Sequence, residues 1–500
     1  MRYLEIMEEM IMMKKLLCLM LALLMCATAL MACAEEKPEE QPDQPSQDGG
    51  DTPDEPIKED PWLDDIEDQQ MNGLEIVFAY FNKNGVKDGC SVDAEEPNGD
   101  LINDAMYSRN TAVEERFDVV LTGNEVSTAG GIATAVTPVL TSGATDYDVL
   151  VGYQYYDIGL AATGLMYNFN RIAGSQLNIE NDWWSTDYIN NINYSDKLFW
   201  LTGDITLAHI GTIAASYVNA RIYEEYCLED WGPLYQLVRD KEWTFENMMV
   251  MCEDAYFDTN GNDKYDDGDQ FGFLNSLGVE MAYCAGIDSS VRDENGDMVI
   301  AIDNEKTADI MWFLNEVWTA KTSVSNNTEQ GQYKIFANGE AMVYFRDLMA
   351  AEDVLFREME DDFYIVPIPL GDPYYCTDYR STCMTGNNVI GLAHTVENPV
   401  ECTIILEALA AESYKSVTPI YYDTILKDRY TRDNESKEMM DMVRSLVGVD
   451  FVNTWSFGYT GAYDFYLTFD SNTVSSRIAT HAPKWETVLE ELLMTLEDLE

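Results

Sequence analysis

The chain has 500 residues and a formal net charge of −60, from 90 Asp and Glu against 30 Lys and Arg. Such an acidic surface repels phosphate backbones, which argues against nucleic-acid binding. The length suggests two lobes, and three widely spaced histidines leave few parts for a zinc site or a serine triad.

An export signal lies near the N-terminus. The stretch MKKLLCLMLALLMCATALMAC, Met13 to Cys33, has two lysines and an apolar run of about 16 residues, which is short for a membrane-spanning helix. Its end resembles the lipobox of bacterial lipoproteins, which implies a diacylglycerol on Cys33 and cleavage before it, so that 1–32 is the signal peptide. The alternative is an ordinary signal peptide with an incidental cysteine. Residues 1–12 carry three Glu, so we expect the true start at Met12 or Met13.

A tether follows the lipidated cysteine. Residues 34–61 hold six of the fifteen prolines and eleven acidic residues, a composition that cannot bury a core. We predict that 33–70 is a disordered acidic, Pro-rich tether and that the folded body, 71–500, begins near Met71.

The body opens with alternating strands and helices. The predicted elements are a strand at 73–82, a helix at 100–116, a strand at 117–121, a helix at 130–143 despite Pro138, and a strand at 147–152. Continuous apolar strands between helices favour a parallel sheet covered on both faces, in which ligands meet the carboxyl ends of the strands. Tyr80 to Asn82 and Tyr153 to Asp157 follow two such ends.

Helices dominate the middle and the end of the chain. Thr244 is a predicted N-cap of a helix whose core stripe contains Phe245, Met248, Met249, Cys252 and Tyr256. Ile310, Phe313, Leu314 and Val317 form a second stripe, and an acidic terminal helix is predicted from Thr487.

A loop at 258–273, DTNGNDKYDDGDQFGF, has the oxygen spacing of an EF-hand. The predicted calcium ligands are Asp258, Asn260, Asn262, Lys264 through its carbonyl, Asp266 and Asp269. Asp263 stands where an EF-hand has Gly, and the last ligand is Asp instead of Glu. We expect a structural Ca²⁺ clip, with a metal-free Asx turn as the alternative.

The mature body has seven cysteines, an odd number without a CxxC pair. Burial as small apolar residues is favoured for most of them. A short loop closed by Cys376 and Cys383 is the other possibility.

The order of segments resembles the extracellular solute-binding lipoproteins of ABC importers, sugar-binding branch. The resemblance is carried by the segments 147–169, 197–208, 216–226, 232–252, 335–347, 363–372 and 385–409. It implies an α/β, two-lobed periplasmic-binding-protein-like fold of type II, with a hinge and an interlobe ligand cleft. Lobe 1 would hold about 71–210 and 372–435, and lobe 2 about 211–371 and 436–500.

The resemblance also implies a function. We expect a monomer, lipid-anchored on the outer face of the bacterial cell membrane, that passes a sugar or oligosaccharide to an ABC permease without catalysis. Sugar recognition needs flat aromatic faces and planar polar groups. The candidate ligand-binding residues are Tyr80, Asn82, Tyr153, Gln154, Asp157, Asp204, Arg346, Asn388 and Trp455. The structural alternatives are a turn-stabilising carboxylate for Asp204, an ion pair with Asp347 or another acid for Arg346, and a core position for Trp455. Asp182 to Trp184 is interpreted as a lobe-packing element, with a stacking platform as the alternative.

Three alternatives remain open. A secreted glycosidase is possible in principle because a carboxylate pair can always be found among 90 acids, although no catalytic motif is present. A binder of a non-sugar solute fits the same fold. A scaffold component is suggested by the dockerin-like loop, but dockerins duplicate that loop and this chain has one copy.

Overall fold

A computed structural model of the chain describes residues 62–81, 92, 94, 96–127, 130–259, 261–262, 268–275, 278–320, 323–324, 329–384, 386–426, 434–455, 465–466 and 473–499. All of these residues belong to the unit Asp60–Glu500.

The described strands are β1 (Leu74–Phe81), β2 (Val119–Ser127), β3 (Val149–Tyr153), β4 (Ala214–Asn219), β5 (Phe271–Asn275), β6 (Ser290–Arg292), β7 (Met298–Ile300), β8 (Ser323–Val324), β9 (Ala341–Asp347), β10 (Phe363–Val366) and β11 (Asn388–Leu392). The α-helices are α1 (Leu101–Phe117), α2 (Ala133–Thr141), α3 (Gln154–Asp157), α4 (Thr186–Ile192), α5 (Leu207–Gly211), α6 (Ala220–Tyr226), α7 (Leu228–Trp231), α8 (Leu234–Arg239), α9 (Phe245–Ala255), α10 (Val279–Cys284), α11 (Glu305–Thr319), α12 (Glu329–Ala337), α13 (Val354–Arg357), α14 (Pro399–Glu412), α15 (Thr418–Leu426), α16 (Asn434–Ser445), α17 (Phe451–Thr454) and α18 (Val474–Glu497).

The first sheet has the strand order β11-β3-β1-β2. Strands β1, β2 and β3 are parallel, as predicted from the alternation of strands and helices, but β11 runs antiparallel to β3 and places Asn388 opposite Tyr153. Ile76 and Phe78 of β1 face one apolar cluster and Ala79 and Phe81 face another, so both faces of the strand are covered. Full burial of such side chains stabilises the fold by about 1.5–3 kcal/mol each.

The second sheet has the order β10-β4-β9-β5-β8. Strands β5, β8 and β9 are parallel, whereas β4 and β10 run antiparallel to their neighbours. All six residues of β4 are buried, including the polar Ser216 and Asn219.

Three chain segments lie side by side where the chain passes between the two sheets. Ala214 donates its N–H to Thr382 O at 2.9 Å and Met384 donates to Thr212 O at 2.7 Å. Ser381 donates to Leu446 O at 3.0 Å and Gly448 donates to Ser381 O at 2.9 Å. Only a few backbone hydrogen bonds join these three connecting segments, so the segments can bend with little loss of bonding, as in a hinge.

The C-terminal segments contact the elements around both sheets. Asp450 accepts hydrogen bonds from Ser290 of β6, and the indole of Trp455 donates to Ile192 O of α4 at 3.3 Å. Helix α18 packs on α11, on β7 and on the 3₁₀ turn at 158–163. It begins at Val474, thirteen residues before the predicted start at Thr487, because Val474, Ile478, Ala482 and Trp485 continue its buried stripe.

Residues before Met71 already contact the folded body. Arg116 on α1 makes two hydrogen bonds to the Asp64 carboxylate, at 2.8 and 2.9 Å, and one to Asp68 at 2.7 Å. Its guanidinium also lies 4.5 Å from the ring centre of Trp62. A buried arginine requires such partners, so the segment 62–70, assigned by composition to the tether, packs on the body.

Most local predictions hold. Thr244 caps α9 by accepting from the Asn247 N–H at 3.1 Å, and Phe245, Met248 and Cys252 are buried as predicted. The strand expected from Phe117 begins at Val119, because Phe117 still belongs to α1 and Asp118 ends that helix in the left-handed conformation. Among the described residues, no helix is both long and apolar enough to cross a bilayer.

Candidate functional site

Aromatic side chains gather at the carboxyl edge of the first sheet. The rings of Phe81 and Tyr153 are 5.2 Å apart and those of Tyr153 and Tyr156 are 5.3 Å apart, and Tyr153 is half-buried. Tyr80 alternates with Phe81 along β1, so its ring enters the opposite apolar cluster and is buried. At this edge Phe81 therefore takes the position expected of Tyr80. Asn82 lies outside the described residues.

A buried polar network lies behind this edge. The Gln154 side-chain oxygen accepts from the Tyr188 hydroxyl at 2.7 Å and from the Asn387 amide nitrogen at 3.0 Å. The Asn387 oxygen lies 3.2 Å from Nδ1 of His209, whose ring nitrogen is 3.4 Å from the Cys383 sulfur. The network thus joins the rim of the first sheet to the hinge segment that contains Cys383.

Burial sets the charge state of this network. Desolvation lowers the pKa of His209 to about 4, so its imidazole is neutral near pH 7. Sequence reasoning selected Gln154 but missed Tyr188, Asn387 and His209. The signal available was the pair of adjacent amides, Asn387 and Asn388, at the start of a strand.

The facing wall comes from the second sheet and from the C-terminal segment. Glu280 and Tyr283 lie on α10, which follows the carboxyl end of β5, and Asp450 and Asn453 begin α17. Thr382 and Cys383 of the hinge close the floor. Together with Gln154, these residues surround a small cavity between the two halves of the fold.

Asp450 of this wall, and Arg380 next to Tyr283, are held by specific partners. Asp450 accepts from the N–H of Ser290 at 2.8 Å, from its hydroxyl at 3.1 Å and from the N–H of Asn453 at 3.0 Å. Burial raises the pKa of Asp450 to about 6. Arg380 lies 5.0 Å from the ring centre of Tyr283 and bonds Asp288 at 2.8 Å.

The cavity is far smaller than a sugar. Its volume is about 40 Å³, whereas ligand pockets are typically about 300–1,000 Å³. The space that these residues leave between the two walls therefore has room for a few waters. A ligand the size of an oligosaccharide enters only if the walls separate.

Arg346 lies beside the hinge, on β9. Its Nε donates to the Tyr333 hydroxyl at 3.1 Å and its guanidinium is 5.5 Å from that ring centre. It is also 3.8 Å from Asp347 and contacts Met384 of the hinge. The side chain is mostly buried, so it supports the hinge side of the cleft.

The other predicted ligand-binding residues have structural partners. Asp157 is fully buried, and its carboxylate accepts from the backbone N–H groups of Tyr153, Ala133 and Ile132 at 2.7, 2.9 and 3.0 Å. Asn388 is buried at the start of β11, where its amide nitrogen is 3.5 Å from Thr206. Trp455 is buried in the core.

Asp204 is buried beside a different crevice. It accepts from Thr418 at 2.7 Å and from Arg444 at 2.5 Å, and a crevice of about 620 Å³ opens beside it. Trp184 and Tyr414 also line this crevice, which shares only His209 with the network behind Gln154. The structure therefore does not place Asp204 with Gln154 around the small cavity.

The tryptophan pair at 183–184 packs the first lobe, as the sequence indicated. Both indole N–H groups donate to Glu407 of α14, at 2.9 and 2.7 Å. The Asn181 amide donates to the same carboxylate at 2.7 Å and the Asn178 N–H at 3.2 Å.

The calcium-like loop joins α9 to β5. A bridge between Phe257 and Gln270 closes its base. The Asp258 carboxylate accepts from the N–H groups of Gly261 and Asn262 at 2.7 and 3.3 Å, and buried Asp269 accepts from Thr259 N–H at 3.2 Å.

Three of the six predicted calcium ligands lie outside the described residues, namely Asn260, Lys264 and Asp266. Within the part of the chain that the structure describes, no group of three metal-ligating side chains is assembled. Calcium binding therefore stays a prediction. Cys33 and the signal segment also lie outside the described residues.

The six cysteines of the described part are buried free thiols, in line with the favoured reading. Cys376 and Cys383 do not pair with each other. The Cys376 thiol donates to Ala285 O at 3.3 Å and the Cys383 thiol to His209 O at 3.4 Å.

No protein-family model and no curated protein sequence matches the chain. Among solved structures, it is similar to a cyclo/maltodextrin-binding protein complexed with maltotetraose, with TM-score 0.53 and 11% identity over 85% of this chain and 96% of that one. Two others are a maltose-bound protein of T. maritima (TM-score 0.44, 13% identity, 85% and 99% covered) and an ABC substrate-binding protein from Listeria monocytogenes in complex with cycloalternan (TM-score 0.47, 12% identity, 85% and 98% covered). The first similarity confirms the predicted fold: the chain has the two-lobed α/β architecture of type II periplasmic binding proteins.

Proposed function

We propose that this two-lobed protein is the substrate-binding component of an ABC importer and captures a carbohydrate, an oligosaccharide in particular, between its lobes. The single observation that supports this most is the arrangement at the hinge: Gln154, which lies next to the aromatic rings at the carboxyl edge of one sheet, faces polar groups of the other lobe across a small cavity. Aromatic faces suit the C–H side of a pyranose, and amides suit its paired hydroxyls.

The mechanism is a shift between open and closed forms. The cavity of about 40 Å³ between the described walls admits no sugar, so loading would require the walls to move apart. A sugar that contacts Tyr153 and Gln154 on one wall and Tyr283 on the other gains both sets of contacts only after closure. The ligand therefore stabilises the closed form by its differential affinity, and no covalent step is required.

Anchoring and delivery complete the proposal. A diacylglycerol on Cys33 and the acidic segment after it would hold the binding lobes at the outer face of the cell membrane, beside the permease. The acidic loop from Asp258 to Asp269 would bind one structural Ca²⁺ through carboxylate, amide and carbonyl oxygens. Metabolic labelling with palmitate, compared between the wild type and Cys33→Ser, tests the anchor.

The test of function is direct binding of glycans. The protein is titrated with mono- and oligosaccharides by calorimetry, and the sugar is then recovered and analysed. Saturable binding of one glycan, recovered intact, supports the proposal. Recovery of a shorter glycan would establish a hydrolase instead, and absence of binding across the panel with binding of another solute class would overturn the sugar assignment.

A further inference from the structure

A second pocket lies apart from the small cavity of the cleft. It has a volume of about 360 Å³ and is bounded by the start of α9, by α11 and by the segment 371–375. This volume is within the range of small-molecule sites. The cleft residues Gln154, Tyr283 and Asp450 do not line it.

The floor of the pocket is apolar. It is formed by buried Phe245 and Ile310 and by half-buried Phe313, with the two phenyl rings 6.3 Å apart in an edge-to-face arrangement. Tyr375 stands at the wall, and its hydroxyl donates to Asp309 at 2.6 Å. An apolar floor of this kind accommodates an alkyl chain and offers ring faces to a cation.

The rim carries four carboxylates and no base. Glu246, Asp309, Glu316 and Asp372 line the mouth and are exposed, whereas no Lys, Arg or His lines the pocket. In the described part of the chain, none of the four takes part in an ion pair. Four like charges around one mouth repel each other and raise the local concentration of cations.

We propose that this pocket binds a small organic cation, a primary ammonium group on an alkyl stem. The stem would lie on Phe245, Ile310 and Phe313 while the ammonium group remains among the carboxylates, near Tyr375. An anion is repelled by the rim. A neutral alcohol of the same shape makes only the contacts with the apolar floor. The positive charge is therefore what distinguishes the ammonium ligand from the alcohol.

The probe is n-butylammonium chloride, titrated into the full chain and followed by calorimetry at low salt, with 1-butanol as the neutral counterpart. We expect butylammonium to bind at least tenfold more tightly than butanol and to weaken as NaCl is raised, because exposed charges are screened. Glu316→Gln should weaken it about fivefold. Glu490→Gln, an exposed carboxylate of α18 outside the pocket, serves as the matched control.

Equal affinity for butylammonium and butanol, or equal effects of Glu316→Gln and Glu490→Gln, would overturn the proposal. Glu316 is exposed, so its amide variant is expected to fold, and an unchanged melting temperature verifies this. The readout contains no sugar, so it is independent of the outcome of the glycan titrations.

Discussion

Asp157 holds the aromatic rim in place, and removing its carboxylate should be costly. The carboxylate satisfies three backbone N–H groups, two at the start of α2 and one at Tyr153. An unsatisfied buried donor costs about 1–3 kcal/mol. The three N–H groups share the Asp157 carboxylate, so their costs are not independent and add up to less than three separate losses. We expect Asp157→Ala to lower the free energy of unfolding by about 3–5 kcal/mol.

A graded series separates the hydrogen bonds from the side-chain volume. Asp157→Asn keeps one acceptor oxygen and should cost less, about 1–3 kcal/mol. Gly131→Ala should also destabilise, because a Cβ at Gly131 would lie 2.4 Å from the Asp157 carboxylate and the backbone there has φ +76°. Asp146→Asn, an exposed aspartate before β3, is the control and should stay within about 0.5 kcal/mol.

Denaturant unfolding of each variant gives the free energies, and glycan calorimetry gives the dissociation constants. If Asp157 positions Tyr153, Asp157→Asn weakens glycan binding under conditions in which the variant is fully folded. An Asp157→Ala variant within 1 kcal/mol of the wild type would refute the argument that these three bonds hold the rim.

Further predictions concern pH, packing and metal. The pKa of His209 falls from 6.5 to about 4 on folding, so the stability that comes from its neutral form is present above pH 6.5 and is lost as the pH falls towards 4. His209→Gln should remove up to about 3 kcal/mol of this pH-dependent change in the free energy of unfolding, measured by unfolding at several pH values. The pKa of Asp157 rises from 3.8 to about 6 on folding, so its contribution to stability changes with pH in the opposite direction. The contribution is fully present below pH 3.8 and is lost as the pH rises through 6, and Asp157→Asn should abolish this dependence. Glu407→Ala leaves two indole N–H groups without their acceptor and should cost about 2–5 kcal/mol by denaturant unfolding, whereas a loss under 1 kcal/mol would contradict the packing role. Chelation of calcium should lower the melting temperature, and Asp258→Ala should remove that response; an unchanged temperature would leave the loop as a hydrogen-bonded turn.

Features that depend on neighbouring residues could be predicted from the sequence. The alternation from β1 to β3 is visible because apolar runs and helical stripes are local patterns. The Thr244 cap is equally local, since its partner Asn247 is three residues away. The carboxyl edge that carries Tyr153 and Gln154 follows from the order of strands alone.

Only the tertiary structure decided which polar groups face the cleft and which bond to partners inside the fold. Glu407 meets the tryptophan pair across more than two hundred residues, and Gln154 meets Asn387 across a similar separation. Asp157 and Asp204 looked like ligand carboxylates because their types suit sugars, yet each is satisfied by the fold. Composition and spacing along the chain do not encode such partners, because a buried polar group bonds to whatever the folded chain brings within about 3 Å of it.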